Sequence, residues 1–232
     1  DVGQGDAIFI QTPNKKQMLI DTGKDAKILE SLSRQMSFAD RSIDMVLVTH
    51  KDLDHVGGLP ALSRNYNISN ILESDLDVKS ENVEINDFLN STKIKKKKIS
   101  RGSKILLDKD KNIYLEIMYP DNGVQNEGQN ETSVVARLVY DKKIFLFTGD
   151  ANIYSESLIM WAEQGRSIDV DILKLGHHGA KTSSSLLWLE KTKPEMAIIS
   201  AGKNNSYGHP HKEVLERLKK LNIPYLATYE KG

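Results

Sequence analysis

Short apolar segments alternate with polar turns along most of the chain. Residues 7–11 and 17–21 are apolar runs on either side of a five-residue polar turn, and residues 133–140 and 143–148 flank a second turn. Both arrangements predict β-hairpins. After each hairpin the pattern changes to apolar runs of strand length, which alternate with segments of helical periodicity.

The order of these segments predicts the fold class. Further strands are predicted at residues 43–49, 68–72, 105–107, 113–118, 170–175, 197–200 and 225–228. Helices are predicted at residues 25–36, 59–66, 153–163, 184–191 and 211–221. A hairpin followed by strand–helix alternation in each half predicts two packed sheets with helices outside, an α/β fold of the αββα sandwich type.

Composition narrows the class of protein. A length of 232 residues predicts one domain over residues 1–232. The 32 basic and 32 acidic residues balance, which excludes a uniformly cationic nucleic-acid-binding protein. Without cysteine there is no disulfide, thiolate ligand or cysteine nucleophile. The chain opens at Asp1 without methionine, and we therefore expect a fragment of a longer protein.

All six histidines fall into three short clusters, each in the loop after a predicted strand. The clusters are T-H-K-D-L-D-H at 49–55, G-H-H-G at 176–179 and G-H-P-H at 208–211. The first offers two imidazoles and two carboxylates, the ligands that divalent ions take when thiolates are absent. A solvated loop with a helix-capping aspartate is the alternative. Asp150 is likewise either a helix cap or a carboxylate that bridges two ions.

The motifs resemble those of the metallo-β-lactamase superfamily. T-H-K-D-L-D-H-V-G-G is similar to the H-x-H-x-D-H motif, and L-I-D-T-G, F-T-G-D and L-K-L-G-H-H-G follow in the superfamily's order. D-V-G-Q-G-D-A at 1–7 and N-x-Y-G-H-P-H at 205–211 resemble the extracellular nuclease-like domain of the ComEC branch, the DNA-uptake channels of competent bacteria. Stand-alone hydrolases and choline-phosphate esterases resemble this branch too.

The resemblance implies two divalent ions, zinc or manganese, and a ligand set for each. One ion would take His50, Asp52 and the bridging Asp150. The other would take Asp54, His55, His177 and Asp150. Aspartate stands at 52 where the family usually has histidine, and no histidine lies between 55 and 150. The first site is therefore rich in oxygen, with Asn130, Thr132 or Ser133 as weak additional ligands, and Mn²⁺ becomes plausible beside zinc.

Further roles follow from the same resemblance. Asp54 and His178 are the expected catalytic residues; His178 would donate a proton or a hydrogen bond to the phosphoryl oxygen, or else only support its neighbour. Asp21 would orient the His50 loop. The expected substrate contacts are His209, Thr182, Ser183 and Asn205.

The implied activity is metal-assisted hydrolysis of a phosphodiester, with DNA during competence uptake as the expected substrate. The implied partners are single-stranded DNA and the rest of a parent membrane protein, with this domain on the extracellular side. A stand-alone cytoplasmic or secreted hydrolase is the alternative location. Two other functions stay open: a small-molecule phosphodiesterase acting on phosphocholine esters, and a catalytically weak DNA-binding module.

Two features have a structural and a functional interpretation. Residues 93–104 hold seven cations and no acid, which is typical of an edge strand guarded by lysine or of a phosphate-binding track. Asp6, with Gly3 and Gly5, either belongs to the family motif or only forms a turn into the first strand.

Overall fold

Two β-sheets form the centre of the molecule. A computed structural model describes residues 2–76, 78–121, 128 and 130–231; Asp1, the first residue of the motif at 1–7, lies outside them. The first sheet has five strands side by side in chain order: β1 (Ile8–Gln11), β2 (Gln17–Ile20), β3 (Ser42–Val48), β4 (Asn67–Ser74) and β5 (Lys95–Ile99).

The second sheet has seven strands, which are also neighbours in chain order. They are β6 (Lys104–Asp108), β7 (Ile113–Tyr119), β8 (Val135–Tyr140), β9 (Lys143–Phe147), β10 (Ile172–Lys174), β11 (Met196–Ile199) and β12 (Tyr225–Ala227). Both predicted hairpins are confirmed, since β1 pairs with β2 and β8 with β9 in antiparallel register. The strands from β2 to β5 and from β9 to β12 run parallel.

Helices cover the outer faces of both sheets. Their bounds are α1 (Lys27–Gln35), α2 (Leu53–Val56), α3 (Leu59–Asn65), α4 (Val83–Ser91), α5 (Ile153–Ala162), α6 (Leu186–Thr192), α7 (Lys212–Lys220) and α8 (Thr228–Lys231). Ile28 of α1 and Leu62 of α3 pack on the first sheet, and Ile159 of α5 and Trp188 of α6 pack on the second.

A third apolar cluster lies between the sheets and confirms the αββα sandwich. Met18 and Leu47 of the first sheet share it with Leu115 and Phe147 of the second. The inner strands therefore bury both faces, which explains why β2, β3 and β11 are largely apolar in sequence. Among the described residues, no helix combines the length and apolar character needed to cross a bilayer.

The prediction fails mainly between residues 75 and 100, where α4 and β5 were not assigned. Asn82 caps α4, since its side chain accepts a hydrogen bond from the backbone N–H of Ile85, but only Ile85 and Leu89 of this short helix are buried. Ile85, Phe88 and Leu89 have helical spacing, but this pattern covers little more than one turn and is easily overlooked. The lysine-rich segment forms β5 at the sheet edge with its lysines exposed, so the edge-strand interpretation is confirmed.

Candidate metal centre

A group of buried polar residues lies at one edge of the sandwich, where the parallel strands of both sheets end. Carboxyl ends of parallel strands share an edge, which is where α/β proteins usually place their sites. Asp21 follows β2, His50 follows β3, Asp150 follows β9, and His177 and His178 follow β10. The short helix α2 carries Asp54 and His55 into the same place.

Asp21 fixes the first histidine cluster from below. Its Oδ1 accepts a hydrogen bond from the backbone N–H of Thr49 at 2.8 Å, and its Oδ2 lies 2.8 Å from Nδ1 of His55. Nδ1 of His50 lies 3.1 Å from the hydroxyl of Thr49, which itself donates to Asp21. Asp21 thereby anchors both imidazoles at Nδ1, directly for His55 and through Thr49 for His50.

His178 is anchored in the same way from the second sheet. Its Nδ1 lies 2.8 Å from the carbonyl oxygen of Ser200, and only 1% of the residue is exposed. His177 and His178 both adopt left-handed backbone angles, with φ of 47° and 56°. This turn directs the two adjacent rings differently: the side chain of His178 is buried, whereas 28% of the His177 side chain is exposed.

The carboxylate of Asp150 lies at the centre of the three anchored imidazoles. Its oxygens are 3.1 Å from Nε2 of His55, 3.5 Å from Nε2 of His178 and 4.0 Å from Nε2 of His50. Nε2 of His177 is also 3.5 Å away. Asp54 approaches from α2, with Oδ2 at 3.2 Å from Nε2 of His178.

The donor set fits a divalent metal ion. Nε2 of His50, His55 and His178 and Oδ1 of Asp150 are buried, and none has a hydrogen bond of acceptable geometry among the described residues. Buried polar atoms normally find partners, so four such atoms around one point call for a cation. Ligand atoms of Asp6, His55, Asp150 and His178 all lie within 4.8 Å of one another.

Asp52 lies at the open side of this cluster. Its Oδ2 is 3.5 Å from Nε2 of His50, and 36% of its side chain is exposed. The position expected to carry histidine in the family therefore presents a solvent-accessible carboxylate next to His50. Asn130, one of the weak ligands considered from the sequence, has a buried Oδ1 without a hydrogen bond, and its Nδ2 lies 3.5 Å from Nδ1 of His177.

Asp6 and Lys174 form a buried ion pair beneath the cluster. The Lys174 amine contacts the Asp6 carboxylate, lies 3.9 Å from Oδ1 of Asp150 and donates to the carbonyl oxygen of Gly149 at 2.7 Å. From the sequence alone Asp6 has two interpretations, and no role is predicted for Lys174. A signal was present, because Lys174 interrupts an apolar strand and a buried lysine requires a partner.

Opposite charges dominate the ionisation of the cluster. Burial opposes each charge, yet the surrounding carboxylates together outweigh it. Asp150, Asp54 and Asp6 raise the pKa of His178 to about 9, and Asp150 and Asp21 raise that of His55 well above its usual range. Against the same burial penalty, His178 and His55 lower the pKa of Asp54 to about 2. Protonated imidazoles thus balance the carboxylates, and a bound cation would take the place of those protons.

His209 has the opposite ionisation. Burial and the neighbouring His177 lower the pKa of His209 to about 4, which keeps its ring neutral. Its ring centroid is 5.4 Å from that of His177, so this expected substrate contact lies beside the cluster.

Two of the expected substrate contacts support loops. Ser183 is fully buried and its hydroxyl donates to the carbonyl oxygen of Gly176, while Thr182 beside it is exposed. The Asn205 side chain donates to the carbonyl oxygens of Gly202 and His209 and so shapes the loop that carries His209.

A cavity of about 580 Å³ opens directly beside the cluster. Asp52 and Asp54 form the wall nearest to the buried histidines, Glu81 and Glu131 also line it, and Tyr207 borders it. A molecule in the cavity can therefore contact Asp52 and Asp54 at the exposed edge of the cluster. The anchoring residues Asp21 and Thr49 are buried beneath it.

Comparison with known proteins agrees with this geometry. The model of the metallo-beta-lactamase superfamily matches residues 1–203. The chain is 26% identical over its full length to ComE operon protein 3 of Bacillus subtilis, and 27% identical over 98% of its length to competence protein ComA of Neisseria gonorrhoeae. It spans 31% and 30% of these two relatives. A shorter match, 32% identical over 27% of the chain and 23% of the relative, is to exodeoxyribonuclease WalJ of Streptococcus pneumoniae.

Solved structures share the fold at low sequence identity. Zn²⁺-bound PqqB of Methylobacterium extorquens aligns with a TM-score of 0.62 and 12% identity, covering 97% of this chain and 85% of the other. The metallo-beta-lactamase fold protein YhfI of Bacillus subtilis gives a TM-score of 0.62 and 13% identity, covering 97% and 88%. These similarities establish the fold.

The buried ion pair generates the first prediction. Lys174→Met leaves the Asp6 carboxylate buried without its cation, and we expect it to lower the free energy of unfolding by roughly 3–5 kcal/mol. Adding Asp6→Asn should restore part of this loss, because the unpaired charge is removed. Urea unfolding in EDTA measures both, so that bound metal does not contribute.

Lys193→Met is the matched control. Lys193 pairs with Asp169 at 3.6 Å, but both side chains are more than half exposed, and we expect a change below about 1 kcal/mol. Equal stabilities of the Lys174 and Lys193 variants would contradict the prediction, as would strictly additive effects at 6 and 174.

Proposed function

We propose that the chain, which belongs to the metallo-beta-lactamase superfamily, hydrolyses DNA phosphodiester bonds with two divalent metal ions. The observation that carries this proposal is the set of three imidazoles anchored at Nδ1, with buried and unpaired Nε2 atoms facing Asp150. Structural histidines normally satisfy both ring nitrogens, whereas metal ligands keep one for the ion.

The ligands divide between two sites of unequal strength. The ring of His178, rather than that of His177, is buried and lies 3.2 Å from Asp54. We therefore propose His55, His178, Asp54 and Asp150 for the stronger site. The weaker site consists of His50, Asp52 and the same Asp150, which is shared between the two sites. His177 lies on the solvent-exposed side of this weaker site. This assignment exchanges the roles that the sequence resemblance implies for the two adjacent histidines.

Bound divalent ions supply a nucleophilic water at neutral pH and stabilise negative charge on the phosphoryl oxygens. The protein's own groups hold the substrate and move protons. His209 and His177 have lowered pKa values, because burial disfavours their charged forms. Their neutral rings at the rim can accept a hydrogen bond from the reacting centre or donate one to it.

DNA is proposed as substrate because of the relatives. A competence protein matches 98% of the chain, and an exodeoxyribonuclease matches part of it. The chain spans about a third of the competence relatives. We further propose that it is the extracellular domain of a larger membrane protein and that it acts on single-stranded DNA. The lysines of β5 contribute less than their number suggests, because Lys98 pairs with the buried Glu73 at 3.3 Å.

Metal binding distinguishes the two adjacent histidines. We expect His178→Ala to abolish the tighter of two binding steps and His177→Ala to retain it, because only the His178 ring is buried in the cluster. Asp150→Asn should remove both steps, and Asp21→Ala should weaken binding roughly 10- to 100-fold by releasing His55. Calorimetric titration with Mn²⁺ and Zn²⁺ measures each step.

His211→Ala is the control for this series, since His211 accepts a hydrogen bond from Lys181 outside the cluster. Loss of the tight step in His177→Ala, together with its retention in His178→Ala, would restore the assignment implied by the resemblance. Two equal steps in the wild type would contradict unequal sites.

Nuclease activity tests the function itself. We expect the metal-loaded protein to cut a single-stranded oligonucleotide faster with Mn²⁺ than with Mg²⁺, because the cluster mixes imidazole with carboxylate. EDTA and Asp150→Asn should both abolish cutting, while His211→Ala should not. A metal-loaded sample that cuts neither single- nor double-stranded DNA but hydrolyses a small phosphodiester would contradict the choice of DNA. Turnover of neither substrate would favour a binding module.

A further inference from the structure

We propose that the ring of Tyr207 is a stacking platform for one nucleobase next to the scissile phosphate. The proposal rests on the proposed nuclease function and deepens it by naming a subsite. A base can stack on Tyr207 only after it has left its own helical stack, so the platform selects unpaired strands.

The ring has an open position at the mouth of the cleft. Tyr207 is 65% exposed and borders the cavity that contains Asp52 and Asp54. One face of its ring stacks on His209, with the ring centroids 5.7 Å apart and the planes inclined by 20°. The His209 ring in turn lies next to His177. A group stacked on Tyr207 therefore lies at the entrance to the candidate metal centre.

Hydrogen bonds order the backbone of the loop that carries this exposed ring. Oδ1 of Asn205 accepts hydrogen bonds from the backbone N–H groups of Tyr207 and His209, and its Nδ2 donates to the carbonyl oxygens of Gly202 and His209. Gly202 in turn donates its N–H to the side chain of Gln4. A ring that stacks on His209 and is carried on a hydrogen-bonded loop loses little conformational freedom on binding, which favours a recognition role over an accidental exposure.

The charges of the cavity favour a neutral base over a phosphate. Glu81 and Glu131 line it in addition to the two aspartates of the cluster. These carboxylates repel a phosphate but not an uncharged aromatic ring. The geometry therefore directs the phosphate to the candidate metal centre and the adjacent base into the cavity, against Tyr207.

A quaternary ammonium group is the other ligand that stacks on an aromatic face. Such cations are usually held in cages of several aromatic rings. Among the described residues that line this cavity, Tyr207 is the one aromatic residue. A single flat ring matches a flat base better than it matches a trimethylammonium group.

Binding of a single-stranded oligonucleotide with phosphorothioate linkages, which slow cleavage, tests the subsite when it is measured before any cutting is detected. Fluorescence anisotropy in Mn²⁺ at fixed salt gives the dissociation constant. We expect Tyr207→Ala to raise it roughly 5- to 150-fold, the range of one base–aromatic stack, and Tyr207→Phe to leave it within about twofold. Tyr140→Ala is the matched control, because Tyr140 is also exposed but lies at the turn between β8 and β9, away from the cluster.

Abasic substitution locates the base. Removing one base at a time should weaken wild-type binding most at a single position, and Tyr207→Ala should be insensitive there. This pattern would support the subsite even if the loaded wild type leaves DNA uncut, in which case only the proposed hydrolysis fails. Unchanged binding in Tyr207→Ala overturns the subsite. So does a raised KM for p-nitrophenyl phosphorylcholine in that variant without an effect on the oligonucleotide.

Discussion

The buried carboxylate of Asp150 is the group on which the rest of the site depends. It is 3% exposed, and a carboxylate so far from water is tolerated only when cations and donors surround it. His55, His178 and Lys174 supply that surrounding charge, and each lies within 4 Å of an Asp150 oxygen. Replacing imidazole protons by metal ions keeps the charges balanced, so the same arrangement serves the empty and the loaded protein.

This requirement also explains how the two sheets meet. Asp21, Thr49 and His55 belong to the first sheet and its loops, whereas Asp150, Lys174 and Ser200 belong to the second. The backbone N–H of Asp150 donates to the hydroxyl of Ser133, which also lies 3.3 Å from Nδ1 of His50. Gly149 has a positive φ of 48°, and a side chain there would collide with Ser133. Contacts between the ends of the two sheets thus form the site.

Much of this organisation could be predicted because it is local in sequence. Apolar runs on either side of polar turns predict the hairpins, and the histidines cluster where strands end. Contacts between segments that are distant in sequence could not be predicted. Asp6 and Lys174 are 168 positions apart and have no local pattern that pairs them. His177 and His178 are adjacent, and only the left-handed turn through both determines which ring is buried. Helix α4 was missed because its apolar residues Ile85, Phe88 and Leu89 repeat over little more than one turn.

Anomalous diffraction from crystals soaked in Zn²⁺ or Mn²⁺ tests the central claim most directly. We expect a strong peak about 2.0–2.3 Å from Nε2 of His55, Nε2 of His178 and a carboxylate oxygen of Asp150, with a weaker second peak beside His50 and Asp52. Crystals that show no peak within bonding reach of His55, His178 and Asp150 after such soaks would contradict it.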